Sequence, residues 1–458
     1  MTPTLPDSLL HSILSLTLPS SHPSAIPSRY SALLDYTKVS KAFARVAQQL
    51  LYSDVDLSTP QAAKEFCDAV DDSPSSRRLA FTKTRTLRLS RYDNEERKHW
   101  IGPKSTERVL ARVPGIKELV IDGLTVDPLS FSLCADLTHL TLIRTNILTS
   151  SARTDSGTTS AVPATGAFTW YLPKVTTVTL YLVDFVNQKS YFISLARLLN
   201  PVSTPRLSDL AMTYSSETSE PELVHVAPQL ERLWLQRETS AVEVRERKAS
   251  PALLPLDVLR ALSPRIQHLA VDIWHMVDFD ALSHIGIASA SPAASVDGAP
   301  DTTAALLLLP TELPSIFTLR VSSPHGTVAE RHLLAKLPIL PSFETLRILF
   351  LRDVSLLPAD VVVREAQGRE TTREECGKVG IEVYEFFAAP AQEGEGAVEA
   401  EVAEWRGTCW MVDRMRAVAA VGQEEEVEEE REEMQREVSA GGDAVGPVQG
   451  GSGSGSGN

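Results

Sequence analysis

Apolar and polar positions change period several times along this chain, and each change predicts a different element. Residues 5–16, L-P-D-S-L-L-H-S-I-L-S-L, place Leu9, Leu10, Ile13 and Leu14 at i, i+1, i+4 and i+5, on one face of a helix. Pro6 and Asp7 suit its start, because proline fits the first turn and a carboxylate meets the positive end of the helix dipole. Three prolines and four serines in residues 18–28 predict a loop. A second helical pattern runs from about Tyr30 to Leu51 through Leu33, Leu34, Val39, Phe43, Val46, Ala47 and Leu50. Residues 51–59 then alternate, and 60–70 return to helical spacing.

From residue 84 a short phrase recurs: apolar, two variable, apolar, one variable, apolar. Its copies are T-R-T-L-R-L (84–89), I-K-E-L-V-I (116–121), L-T-H-L-T-L (137–142), V-T-T-V-T-L (175–180) and L-S-D-L-A-M (207–212). L-E-R-L-W-L (230–235), I-Q-H-L-A-V (266–271), I-F-T-L-R-V (316–321) and F-E-T-L-R-I (343–348) complete nine. Seven have proline two residues earlier, at Pro114, Pro173, Pro205, Pro228, Pro264, Pro314 and Pro341. The closing L-x-L has period two and predicts a strand. Helical patterns lie between copies, at 105–113, 190–199, 255–262 and 328–337.

A strand–loop–helix unit repeated about nine times cannot bury its apolar faces alone, so neighbours stack. The fold class expected is α/β: all-α helices at the amino terminus, then an irregular array with a parallel sheet. Spacings of 21 to 50 residues put the extra length in polar, small-residue loops such as 150–167 and 288–304. Over about residues 80–355 the phrase resembles the leucine-rich repeat, and the expected architecture is an irregular solenoid of that kind. The family's phrase continues to a buried asparagine, but Leu124 and Thr145 stand at that position here. Past Leu356 the pattern fades, apart from a candidate strand in 380–390 and helical spacing in 397–421.

Charge divides the chain differently. The net charge is −15, and residues 391–458 hold 16 acidic and 5 basic side chains, a balance of −11. The body is nearly neutral, which argues against nucleic-acid binding, where a basic footprint meets phosphates. Residues 422–438 carry nine glutamates, either a solvated tail or a contact for a basic partner. The group Trp405, Trp410 and Met411 is expected on the apolar face of a helix closing the array. The segments expected are 1–59, an amino-terminal helical region; 60–390, the array; 391–438, an acidic helical segment; and 439–458, a disordered Gly/Ser-rich tail.

No run reaches 18 apolar residues, so no membrane span is expected. No Lys or Arg precedes Arg29, and Asp7 and His11 interrupt the first apolar stretch, which argues against a secretion signal. Four cysteines, far apart and without a C-x-x-C pair, fit a reducing interior, cytoplasmic and/or nuclear. His268, Asp272, His275, Asp278, Asp280 and His284 cluster in sequence without a diagnostic metal spacing. Neither phosphate-loop glycine pattern occurs, nor a G-x-S-x-G elbow. No catalytic, cofactor or metal residue is assigned, and an enzyme is not expected.

Strand alternation gives the array a second prediction. If Leu87 and Leu89 point inward, Arg88 points out, and the same count places Asp122, His139, Tyr181, Arg232, Trp234 and Gln236 on that face. His268, Asp272, Arg320 and Arg347 extend the row. Trp, Tyr and Arg dominate many interfaces, so this row is a candidate target-binding face, unless a loop covers Trp234.

Residues 5–57 resemble the F-box. The matching positions are Leu5, Pro6, Leu9, Leu10 and Ile13; then Val39, Ser40, Lys41 and Phe43; then Leu51, Tyr52, Val55 and Leu57. The resemblance implies docking to the Skp-type adaptor of a cullin ligase complex through the first helix and the 34–47 helix, with Leu5, Pro6, Leu9, Leu10, Ile13, Leu34, Val39 and Phe43 as contacts. It implies a substrate-recognition subunit of an SCF-type ubiquitin ligase, whose array holds an unidentified target protein. The alternative is an interaction scaffold with a degenerate F-box, outside any ligase.

Overall fold

The computed structural model describes residues 5–19, 25–91, 101–148, 171–186, 199, 202–215, 229–238, 265–272, 316–322, 345–352, 359–386 and 402–418. The chain divides into two compact units, Met1–Ala391 and Gln392–Asn458. The first unit opens with three helices: α1 (Asp7–Thr17), α2 (Ile26–Tyr36) and α3 (Lys41–Ser53). The single helix expected from Tyr30 to Leu51 is therefore two. Ser40 makes the break: its backbone is extended (φ −162°, ψ 168°), and its hydroxyl accepts the Phe43 N–H at 3.3 Å, capping α3. Ser40→Ala should cost about 1 kcal/mol of stability, a lower urea midpoint with an unchanged slope. The start of α2 also takes Ile26, Pro27 and Ser28 from the expected 18–28 loop, because proline is at home in a first helical turn.

The same start signal recurs downstream. Thr59 caps α4 (Pro60–Asp72) by accepting Ala62 N–H at 3.1 Å, and Ser73 caps α5 (Pro74–Lys83) through Ser76 N–H at 3.3 Å. In both, proline follows the cap. Helix α6 (Pro103–Leu110) starts on Gly102 and Pro103.

Among the described residues eight of the phrases supply strands of one sheet in sequence order, and the ninth meets its strand only at Ile348. With β4 (Thr125–Val126), β6 (Asn146–Leu148) and β8 (Asp184–Val186) set apart, that sheet comprises eleven strands among the described residues. These are β1 (Asp54–Leu57), β2 (Thr86–Ser90), β3 (Glu118–Asp122), β5 (His139–Ile143), β7 (Thr177–Tyr181) and β9 (Asp209–Ser215). They continue as β10 (Arg232–Glu238), β11 (His268–Asp272), β12 (Thr318–Ser322), β13 (Ile348–Arg352) and β14 (Glu382–Phe386). Every pairing is parallel.

Register explains why the phrase works. Leu87, Leu119, Leu140, Val178, Leu210, Leu233, Leu269, Leu319 and Leu349 stand side by side across the sheet, all buried. Removing each such side chain from water is worth about 1.5–3 kcal/mol, so the ladder stabilises the stack one strand at a time. The ninth phrase is displaced by three residues: Leu346, Leu349 and Leu351 are buried, and Leu349 lies opposite Leu319. Ile348 thus faces outward, since an odd shift exchanges the two faces of a strand.

The corners after three strands share one geometry. Gly123 (φ 70°), Arg144 (φ 45°) and Leu182 (φ 51°) each take a left-handed turn directly after β3, β5 and β7. Gly123 N–H donates to Ile143 O at 2.8 Å and Arg144 N–H to Tyr181 O at 2.7 Å, carrying the strand ladder through the bend. The chain then enters the small parallel sheet β4-β6-β8. Where an asparagine was absent, Leu124 and Val183 are buried apolar residues, and the buried Thr145 hydroxyl reaches the carbonyls of Ile121 (3.1 Å) and Ile143 (2.9 Å).

Strand β1 joins the helices to the sheet. It lies within the amino-terminal segment, yet it pairs with β2 and forms the first edge of the sheet. Val55 and Leu57 belong to the sheet core, whereas Leu10, Leu14, Leu18, Leu33, Val46, Ala47 and Leu50 form a separate helical core. At the far end, α7 (Ala359–Lys378) precedes β14. The inner position of β14 opposite Leu351 is Glu385, held by Arg373 at 2.6 Å and Arg369 at 3.7 Å from α7.

The second unit contains a helix over 402–418. Val402, Trp405, Cys409 and Val412 are buried; Trp410, Met411, Met415 and Val418 are exposed, with the Arg414 guanidinium 5.3 Å from the Trp410 ring centre. Trp405 and Trp410 thus do not share a face, because five residues turn a helix through roughly 140° beyond a full turn. The 150–167 and 288–304 loops, most of the helical patterns at 190–199, 255–262 and 328–337, the glutamate run and the 439–458 tail lie outside the described residues.

Candidate functional site

Helix α1 carries apolar residues over a wider arc than its own core uses. Leu10 and Leu14 point into the helical core and are buried. Leu9, Ile13 and Leu16 lie on the neighbouring face, which is open: Leu9 is 46% exposed, Ile13 41% and Leu16 87%. Leu5, just before the helix, continues the stripe at 51%. Leu34 on α2 and Val39 in the turn before α3 are also exposed. Leaving Leu9, Ile13 and Leu16 in line on one helix, with Leu5 just ahead of it, is costly in water unless a partner covers them.

The residues implied as adaptor contacts thus fall into two groups. Leu5, Pro6, Leu9, Ile13, Leu34 and Val39 are exposed. Leu10 is corrected to a core residue: its position on α1, a third of a turn from Leu9, aims it at α2 and α3. Phe43 is half-buried against that core, its ring 6.2 Å from that of Tyr36. Leu16 joins the stripe beyond the implied contacts, and its spacing from Leu9 and Ile13 (i+7, i+3) is the sequence signal for it.

The helical module is fixed to the sheet by polar contacts. Arg29 donates to Pro19 O at 2.8 Å and pairs with Asp54 at 3.3 Å, and an Asp7–Arg45 ion pair ties α1 to α3. Tyr30, next to Arg29, has its hydroxyl on the backbone of β1, and burial pushes its pKa up to about 12.

The row expected to form an open target-binding face is only partly open. His139 and Arg347 are exposed, and Arg88, Tyr181, Arg232 and Gln236 are half-buried. Asp122, Trp234, His268 and Arg320 are buried and are corrected accordingly. Asp122 is enclosed by cations, with Arg144 at 2.8 Å and Arg88 at 3.7 Å. Nδ1 of His268 lies 2.8 Å from the Thr318 hydroxyl on the next strand. Trp234 stands in register between Ala211 and Ala270, whose small side chains leave room for the indole. Arg347 precedes β13 rather than lying on it, a consequence of the displaced phrase. The Asp272 side chain, His275, Asp278, Asp280 and His284 lie outside the described residues.

No family model matches the chain, and no curated protein matches it. Function therefore rests on the surface itself.

At the first edge, Asp56 lies beside Arg88 in register, and burial raises its carboxyl pKa while Arg88 opposes the shift. A raised carboxyl binds its proton more readily in the fold than in the unfolded chain. Stability from this group is therefore full below the ordinary carboxyl range and is lost as pH rises through the raised value. Asp56→Asn should flatten that part of the stability profile, measured by urea unfolding between pH 3.5 and 7.

Among the described residues no helix is long and apolar enough to cross a membrane, and no group of three or more His, Cys, Asp or Glu is placed to hold a metal ion. All four cysteines are free and buried, and burial pushes the Cys134 thiol up to about 12. Such a thiol is a poor nucleophile.

Proposed function

We propose that this chain is the substrate-recognition subunit of an SCF-type ubiquitin ligase. The observation that carries the reading is the open stripe Leu9–Ile13–Leu16, prolonged by Leu5 just ahead of it, on a helix whose other apolar face is already satisfied by Leu10 and Leu14. A helix that needs its own core and also leaves leucines outside suits a docking role, with a complementary apolar groove on the Skp-type adaptor as its occupant. The strand–corner–strand units support a divergent leucine-rich-repeat-like solenoid, which would present the target protein.

Such a subunit supplies no catalytic group. It holds the target beside the charged carrier enzyme and raises its effective concentration there. The place of action would be the cytoplasm and/or the nucleus. The less covered part of the outer sheet face, the exposed His139 with the half-buried Arg88 and Tyr181, is the proposed target surface. The deciding experiment is capture of purified Skp-type adaptor by the full chain. A full chain that captures no adaptor would favour the interaction-scaffold alternative.

A further inference from the structure

We infer that Tyr30 closes the free edge of the eleven-stranded sheet, occupying with one hydroxyl the place a further strand would take. In a parallel pair, alternate residues of a strand direct both their N–H and C=O to the same neighbour. Arg85 N–H donates to Ser53 O at 2.9 Å, so Ser53, Val55 and Leu57 direct their backbone groups toward β2. Asp54 and Asp56 then direct theirs the other way, toward the open edge.

Tyr30 meets both. Its O–H donates to Asp54 O at 2.8 Å, and its oxygen accepts Asp56 N–H at 2.7 Å. A phenol can do this because one oxygen carries a donor and acceptor lone pairs together. The high phenol pKa keeps the donor proton in place across the physiological range. Strand β1 spans only four residues, so this single contact engages one backbone group of each residue facing the edge. Arg29, held by Asp54 and Pro19, fixes the turn of α2 from which the ring projects.

Exposed strand edges invite pairing with a second chain, and folded proteins blunt them. Here the blunting group comes from the helical module, so closing the edge and orienting that module on the sheet are one event. The occupant excluded is the β1 edge of a second copy of this chain. The inference does not depend on what α1 binds.

The test compares the full chain with Tyr30→Phe by amide hydrogen exchange and sedimentation. In the wild type, Asp56 N–H is protected although no strand among the described residues pairs with it, and the chain stays monomeric. In Tyr30→Phe, protection at Asp56 falls by roughly 10- to 100-fold, and concentration-dependent dimers form. Adding Asp56→Pro to that variant removes the edge N–H without touching the β2 ladder, and should return the chain to monomer. Fast exchange at Asp56 in the wild type overturns the proposal even if the variant fails to fold. Loss of protection without association, or association that survives the added proline, overturns it as well.

Discussion

The double substitution Leu9→Asp with Ile13→Asp should abolish capture of the Skp-type adaptor and leave the fold intact. Both side chains are more than two-fifths exposed on the open stripe of α1, so carboxylates there remain hydrated in the free chain. Exposed substitutions of this kind change stability by about 1 kcal/mol or less. In a docked apolar groove the same carboxylates would be desolvated without partners. Losing two central apolar anchors, at about 2 kcal/mol each, lowers affinity by roughly 1,000-fold. Leu10→Asp separates docking from folding. One residue along, it puts an unpaired charge among Leu14, Leu33, Val46 and Leu50, and should unfold the three helices. The measurements are adaptor affinity by calorimetry and helicity by circular dichroism. An unchanged affinity in the double variant would overturn the docking assignment. Collapse of helicity there would mean that the stripe is covered within the free chain.

The contrast between Leu9 and Leu10 marks how far the sequence could be read. A helical period gathers Leu9, Leu10, Ile13 and Leu14 into one apolar arc, but it does not divide that arc between core and partner. Division needs the positions of α2 and α3, which tertiary packing decides. Strand phrases were more legible, because each apolar position repeats across neighbours and the ladder allows one register. The ninth phrase slipped where Pro341 stood two residues before Phe343, imitating the cue that precedes six other copies. Burial of Leu349 and Leu351 overrides that cue.

Helix α7 shows no helical period in its sequence for another reason. Its buried positions include Gly368, Arg369, Thr372 and Cys376, small or polar residues that leave no apolar period to count. Arg369 and Arg373 reach Glu385 on β14, so an ion-pair network takes the place of a leucine contact at the end of the sheet. An inward carboxylate on a terminal strand also discourages another strand from adding there. On the outer face, alternation predicts direction and not exposure. Arg88 and Trp234 occupy equivalent positions on their strands, yet one is half-buried and the other buried.

Trp234→Ala should therefore act as a core substitution rather than a surface one. The indole is 4% exposed, and its register neighbours Ala211 and Ala270 are too small to fill the space it would vacate. Truncating a buried tryptophan to alanine costs about 3–5 kcal/mol, the transfer of the ring plus the cavity left behind. His139→Ala, on an exposed position of the same face, should stay within about 0.5 kcal/mol. Urea midpoints of the two variants against the wild type decide the matter, with Trp234→Ala unfolding at much lower denaturant. Equal midpoints would show that the indole is not part of the packed structure, and would restore it to the candidate target surface. If the large difference appears, any loss of target binding in Trp234→Ala reports damage to β9–β11, and the search for contacts moves to the exposed His139 and the half-buried Arg88 and Tyr181.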